Sequence, residues 1–120
     1  MNKICTSIEQ SKKLLELGID RKTSDMYYWC GSDLRIGGYK AQDEELDIPA
    51  WSLAALLDML DYEVVDAEGE SCYLKIDKDD IEYQIRYEDR WNSGIETKWY
   101  DNLLDATFEM VVLLKENRKI

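Results

Sequence analysis

Between Cys72 and Glu88 the chain alternates apolar and polar residues with a period of two, interrupted once. Cys72, Leu74 and Ile76 alternate with Tyr73 and Lys75, and Asp77 to Asp80 read as a turn. Ile81, Tyr83, Ile85 and Tyr87 then alternate with Glu82, Gln84, Arg86 and Glu88. Successive side chains of a strand point to opposite faces, so this pattern buries one face and wets the other. Such a face pattern is typical of an antiparallel sheet covered on one side. Tyr62 to Val65 supplies a shorter strand ahead of it, joined through a turn at Ala67-Glu68-Gly69.

Helices cover such a sheet, and three segments have their period. Residues 6–17 carry Ile8, Leu14 and Leu15 on one stripe. Thr6 and Glu9 have the T-x-x-E spacing of a capping box, and Gly18 suits the left-handed residue of a Schellman closure, with Ile19 against Leu14. Residues 48–60 repeat Leu53, Leu56, Leu57 and Leu60, with Asp47 as N-cap and Pro49 in the first turn. The last helix follows Asp101 as N-cap, with Asp105 in its first turn and Lys115, Arg118 and Lys119 at its end, the signs the helix dipole favours. Between the first two helices, Met26 to Cys30 and Leu34 to Tyr39 read as strands about a turn at Gly31-Ser32, although Gly37-Gly38 interrupts the second. The expected fold is α+β: an antiparallel sheet of three to five strands with two to three helices, in a two- or three-layer sandwich. No linker or repeat divides residues 1–120, which are expected to form a single domain.

Charge narrows the functions. Fifteen Lys and Arg face twenty-six Asp and Glu, a net of −11. Nucleic-acid backbones and anionic membranes both need a basic surface, so neither is an expected ligand. The charge is uneven. Residues 1–24 hold five basic and three acidic groups, whereas residues 48–70 hold Asp58, Asp61, Glu63, Asp66, Glu68 and Glu70 and no cation. That set is the candidate acidic face; the plainer account of it is solubility. Cys5, Cys30 and Cys72 are odd in number and far apart, as in proteins of a reducing compartment. With a polar N-terminus and no apolar run of about 20 residues, a cytoplasmic protein is expected.

Catalytic chemistry has little to work with. The chain has no histidine, which removes the commonest base near neutral pH and every Ser-His or Cys-His nucleophile pair. No C-x-x-C pair, P-loop or G-x-S-x-G motif is present. Carboxylate clusters occur at Asp43-Glu44-Glu45 with Asp47, and at Asp77, Asp79 and Asp80. Both fall in turns, where Asp is favoured for backbone reasons. Cys72 alternates with core positions and reads as a small buried hydrophobe. No catalytic, cofactor-binding or metal-binding residue is assigned, and the protein is expected not to be an enzyme.

The connection from Asp89 to Tyr100 is different. It sets Arg90, Trp91, Lys98, Trp99 and Tyr100 in a polar loop, and these residue types are enriched at binding hot spots. The plainer account is that Trp91 and Trp99 plug the fold. Tyr27, Tyr28 and Trp29 carry the same ambiguity. Leu103, Leu104, Phe108, Val111, Val112 and Leu114 make the last helix apolar around much of its girth, which points to a homodimer through that helix.

Pro49-Ala50-Trp51, Tyr62, the Tyr83-x-Ile85 strand and Asp105-Ala106-Thr107-Phe108-Glu109-Met110 follow one another in an order that resembles a family of uncharacterised bacteriophage and prophage proteins with α-β-α sandwich domains, found also in gut bacteria. The resemblance covers about residues 49–117 and implies a fold and a mobile-element setting, with no functional residues. The expected function is a small non-enzymatic protein-interaction or accessory module. An acidic inhibitor that mimics nucleic acid, binding a basic partner through the Asp58 to Glu70 set, is the alternative.

Overall fold

The structure, a computed structural model, describes residues 3–38, 46–90 and 94–117. Among these residues it has the α+β composition the patterns require, with three α-helices, one 3₁₀ turn at Arg21–Thr23 and two antiparallel three-stranded sheets.

Helix α1 spans Ile8–Glu16. Its capping box lies one residue later than Thr6 and Glu9. The Ser7 hydroxyl accepts from the Gln10 amide at 3.1 Å, and the Gln10 side chain accepts from the Ser7 amide at 2.9 Å. Thr6 is taken by another task. Fully buried, it shares a hydrogen bond with the Ser11 hydroxyl at 2.8 Å and accepts from the Trp51 amide at 3.1 Å. The far end closes as expected: Gly18 has φ +87°, its amide donates to the Leu15 carbonyl, and the Ile19 amide donates to the Leu14 carbonyl.

Strands β1 (Met26–Trp29), β2 (Asp33–Ile36) and β3 (Ile48–Ala50) form one sheet in the order β2-β1-β3. Residues 48–50 are therefore strand, and the expectation of a helix from residue 48 with Asp47 as cap is overturned. Ile48 precedes a proline, which disfavours helical backbone there. Pro49 itself lies opposite Tyr27 on an edge strand, where a missing N–H is tolerated. Asp47 is buried and accepts from the Cys30 amide at 3.0 Å. Helix α2 is only Leu53–Leu57, capped by the Ser52 hydroxyl on the Ala55 amide at 3.2 Å.

Strands β4 (Glu63–Val65), β5 (Ser71–Lys78) and β6 (Tyr83–Glu88) make the second sheet, in that order. Leu74 faces Tyr87 and Ile76 faces Ile85 across it. The turn before β6 runs two residues further than the alternation suggests. Asp79 Oδ1 accepts from the Ile81 and Glu82 amides at 3.0 and 2.8 Å, which leaves Ile81 71% exposed instead of inward.

Helix α3 spans Leu103–Glu116 and is capped by Asn102, not Asp101: Asn102 Oδ1 accepts from the Asp105 amide at 2.8 Å. It packs on α2 and β6. Leu14, Trp51, Leu56, Ile85, Met110 and Leu114 are fully buried in the cluster they share. Leu103, Phe108, Val112 and Leu113 lie half-buried against that cluster, so the core takes up most of the helix's wide apolar arc. A smaller cluster holds Cys5, Met26 and Ala50, with Tyr28 and Leu34 against it. Among the described residues, no helix is long and apolar enough to cross a membrane.

Candidate functional site

After β6 the chain turns back on itself through Gly94. Its φ is +142°, and a Cβ there would stand 2.0 Å from the Tyr87 carbonyl oxygen, so only glycine fits. Residues 95–100 then run antiparallel along β6. The Tyr87 amide donates to the Ile95 carbonyl at 2.8 Å, the Thr97 amide to the Ile85 carbonyl at 2.9 Å, and Tyr83 and Tyr100 exchange two backbone bonds at 2.7 and 2.9 Å. What the sequence presents as a loop is a fourth rung of the sheet.

That rung contains a bulge. Arg86 pairs with Glu96 and Tyr83 with Tyr100, so a step of three residues on β6 faces a step of four on the returning segment. The extra residue lies within Thr97-Lys98-Trp99. Thr97, itself buried, holds the irregularity in place: its hydroxyl accepts from the Ile85 amide at 3.1 Å and donates to the Lys98 carbonyl at 2.8 Å. Gln84 Nε2 donates to the Thr97 carbonyl at 2.8 Å. Tyr100 turns inward and donates its phenolic hydrogen to Glu109 on α3. Burial, and then the Glu109 carboxylate, push that phenol up to about 12. Trp99 is left 41% exposed beside an exposed Lys98.

The candidate binding residues are thus only partly brought together. Lys98, Trp99 and Tyr100 share the bulged segment, with Tyr100 as its anchor. Arg90 is exposed beyond the other end of β6, and its guanidinium is 3.9 Å from Glu70. Trp91 lies outside the described residues. Thr97 was not anticipated; a lone threonine between charged and aromatic residues carries no period that would reveal a bulge. Of the earlier aromatic run, Tyr27 and Tyr28 are half-buried, Tyr28 donating to the Thr6 carbonyl at 2.7 Å. Trp29 is 45% exposed, with the Arg35 guanidinium 4.6 Å from its ring centre.

The acidic set divides. Asp58, Asp61, Glu63 and Glu68 are exposed. Asp66 is half-buried and its Oδ1 accepts from the Glu68 and Glu70 amides at 3.0 and 2.9 Å, so it builds the β4–β5 turn. Two carboxylates of the 77–80 cluster have similar tasks, while Asp80 is exposed. Asp77 pairs with Arg86 at 2.6 Å and Asp79 closes its turn. Asp43, Glu44 and Glu45 lie outside the described residues.

One further group comes together only in three dimensions. Asp66, Cys72 and Asp89 offer ligand atoms within 4.8 Å of one another, beside a cleft of about 350 Å³ whose lining includes Val64, Cys72, Tyr87 and Ile95. Two carboxylates and a thiol are donors that zinc accepts. One oxygen of Asp66 is committed to the turn, and the other receives the Cys72 thiol at 3.9 Å. The remaining thiols are a buried Cys5, whose ionisation burial pushes up, and an exposed Cys30. Comparisons with protein-family models, with curated proteins and with solved structures find no match to this chain.

Proposed function

We propose that this chain is a small, non-enzymatic protein-interaction module that holds its partner at the bulged segment of residues 95–100. Trp99 is the apolar anchor in this proposal, and Lys98 and the more distant Arg90 supply flanking cations. The observation that carries it is the bulge itself. Backbone bonds to β6, the Thr97 hydroxyl and the Tyr100–Glu109 bond fix the segment on three sides, while Trp99 stays exposed between them. An aromatic side chain on a fixed backbone loses little freedom when bound, which suits a hot spot. Bulges re-aim side chains at sheet edges, and they also stop an edge from pairing indiscriminately. The net charge of −11 favours a partner with a basic surface by steering its approach. The absence of histidine, together with carboxylates occupied in turns and ion pairs, is what speaks for binding over catalysis. A phage or prophage accessory factor is the setting in which we place it.

The test is affinity capture from lysate of the encoding organism, with wild type, Trp99→Ala and Trp29→Ala as parallel baits. A partner held by wild type and by Trp29→Ala, and lost from Trp99→Ala, is the expected result. Identical captures by all three baits would overturn the assignment. Capture that ignores Trp99→Ala but washes off with moderate salt would turn attention to the exposed carboxylates Asp58, Asp61, Glu63 and Glu68.

A further inference from the structure

Each sheet must end somewhere, and its ends are treated differently. The 95–100 rung is bulged, β4 has three residues, and β3 contains Pro49. Strand β2, with the sequence Asp33-Leu34-Arg35-Ile36, has none of these devices. It pairs with β1 on one side, and among the described residues no strand pairs with the other. Its Ile36 is 87% exposed.

The hydrogen-bond parity of β2 is fixed. The Gly37 amide donates to the Asp25 carbonyl at 3.1 Å, which makes that pair a closely bonded one. Bonded pairs recur at every second residue of an antiparallel ladder, so Arg35 with Tyr27 and Asp33 with Trp29 are bonded too. The N–H and C=O groups of Leu34 and Ile36 consequently point away from β1, toward the free edge. Pro49 agrees with this parity: it faces Tyr27 on the other side of β1, at a place where its nitrogen points outward.

We propose that β2 is a self-association edge, where two copies of this chain pair antiparallel about a two-fold axis at Leu34. A bonded pair across that axis has to use outward-pointing residues. Three two-fold registers meet this condition near the strand centre. One sets Asp33 against its own copy and another sets Arg35 against its own copy, so each opposes like charges. The third bonds Leu34 to Leu34 of the second copy and sets Asp33 opposite Arg35 twice, at non-bonded positions where facing side chains are closest. Charge thus selects the one register that closes with symmetry. The pairing joins the two three-stranded sheets into one of six strands and draws Ile36 beside Ser32 of the second copy. Charged residues usually guard an edge against pairing. Here the two opposite charges, two residues apart, make it self-complementary.

Sedimentation equilibrium from about 5 µM to about 0.5 mM tests this. Wild type is expected to move from monomer mass toward dimer mass over that range. Asp33→Arg alone and Arg35→Asp alone each set like charges opposite twice and should weaken association by about tenfold or more. The two single variants mixed in equal amounts should associate again, because each then faces its complement; far-UV circular dichroism establishes that each is folded. Wild type that stays monomeric throughout, single variants that dimerise like wild type, or a mixture that stays monomeric would each overturn the proposal.

Discussion

Lys3 and Asp105 stand 2.9 Å apart, although 102 residues separate them along the chain. Gln10 Nε2 and Asn102 Nδ2 reach the same carboxylate, each at 2.8 Å. The start of α1 and the start of α3 are therefore fastened at one point. Burial alone would raise the Asp105 carboxyl, but the bonds from Asn102, Lys3 and Gln10, with the Lys3 charge, hold it below its ordinary value of 3.8. A carboxyl lowered on folding binds fewer protons in the folded state than in the unfolded one. Its stabilisation is complete above the unfolded value and fades as pH falls through the folded one. Asp105→Asn should be less stable than wild type at neutral pH, and the gap should narrow as pH drops below about 4. Urea midpoints for both proteins across that range measure it; a gap that does not change with pH would refute the role given to Asp105.

The start of α1 gives a second test, because Thr6-x-x-Glu9 and Ser7-x-x-Gln10 compete for it. Ser7→Ala removes the acceptor of the Gln10 amide and should cost about 1 kcal/mol. Glu9 is exposed, so Glu9→Ala should change stability by less than about 0.5 kcal/mol. Chemical denaturation that finds Glu9→Ala costlier than Ser7→Ala would restore the earlier register.

Local signals of this kind could be read only where nothing distant competed. The Gly18 closure uses backbone bonds within one turn, and the sequence sufficed. The β5–β6 alternation sufficed for Cys72, Leu74, Tyr83, Ile85 and Tyr87, because half-burial of a sheet imposes a period of two on both strands; it failed at Ile76 and Ile81, which flank the turn that Asp79 builds and are exposed. Thr6 could not be placed, since its hydroxyl is drawn to Trp51 from 45 residues away. The 48–60 segment misled for a related reason: the leucine period of α2 is real, but Ile48–Ala50 is held extended by β1, a partner no local window contains. Of the candidate site, residue types were legible and geometry was not. Lys98, Trp99 and Tyr100 stood out by composition, whereas the bulge that separates an exposed Trp99 from an anchored Tyr100 depends on pairing with β6.

Gly94 and Gly69 separate close approach from turn conformation. Both have left-handed φ, +142° and +83°, but a Cβ at Gly94 would collide with the Tyr87 carbonyl while one at Gly69 would meet nothing within 4 Å. Gly69→Ala should cost only the backbone strain, about 1 kcal/mol. Gly94→Ala adds a clash with backbone that cannot move without breaking the Tyr87–Ile95 bond, and should cost about 3 kcal/mol or more. Equal shifts in the urea midpoint would mean that the 95–100 rung is not seated on β6 as described.

Thr97 joins stability to the proposed function. Its hydroxyl satisfies the Ile85 amide, which the bulge would otherwise leave buried and unpaired. Thr97→Val keeps the shape and removes the acceptor, so it should cost about 1–3 kcal/mol, the usual penalty for an orphaned buried donor. Thr97→Ser keeps the acceptor, loses one methyl group, and should cost about 1 kcal/mol. If Trp99 owes its binding role to a fixed backbone, Thr97→Val should also weaken capture of a Trp99-dependent partner, because the loosened segment must be ordered again on binding. Hydrogen exchange at the Ile85 and Thr97 amides follows the loosening directly. Faster exchange with weaker capture in Thr97→Val, and neither in Thr97→Ser, is the expected pattern. Faster exchange with unchanged capture would separate the bulge from recognition and leave Thr97 a purely structural residue.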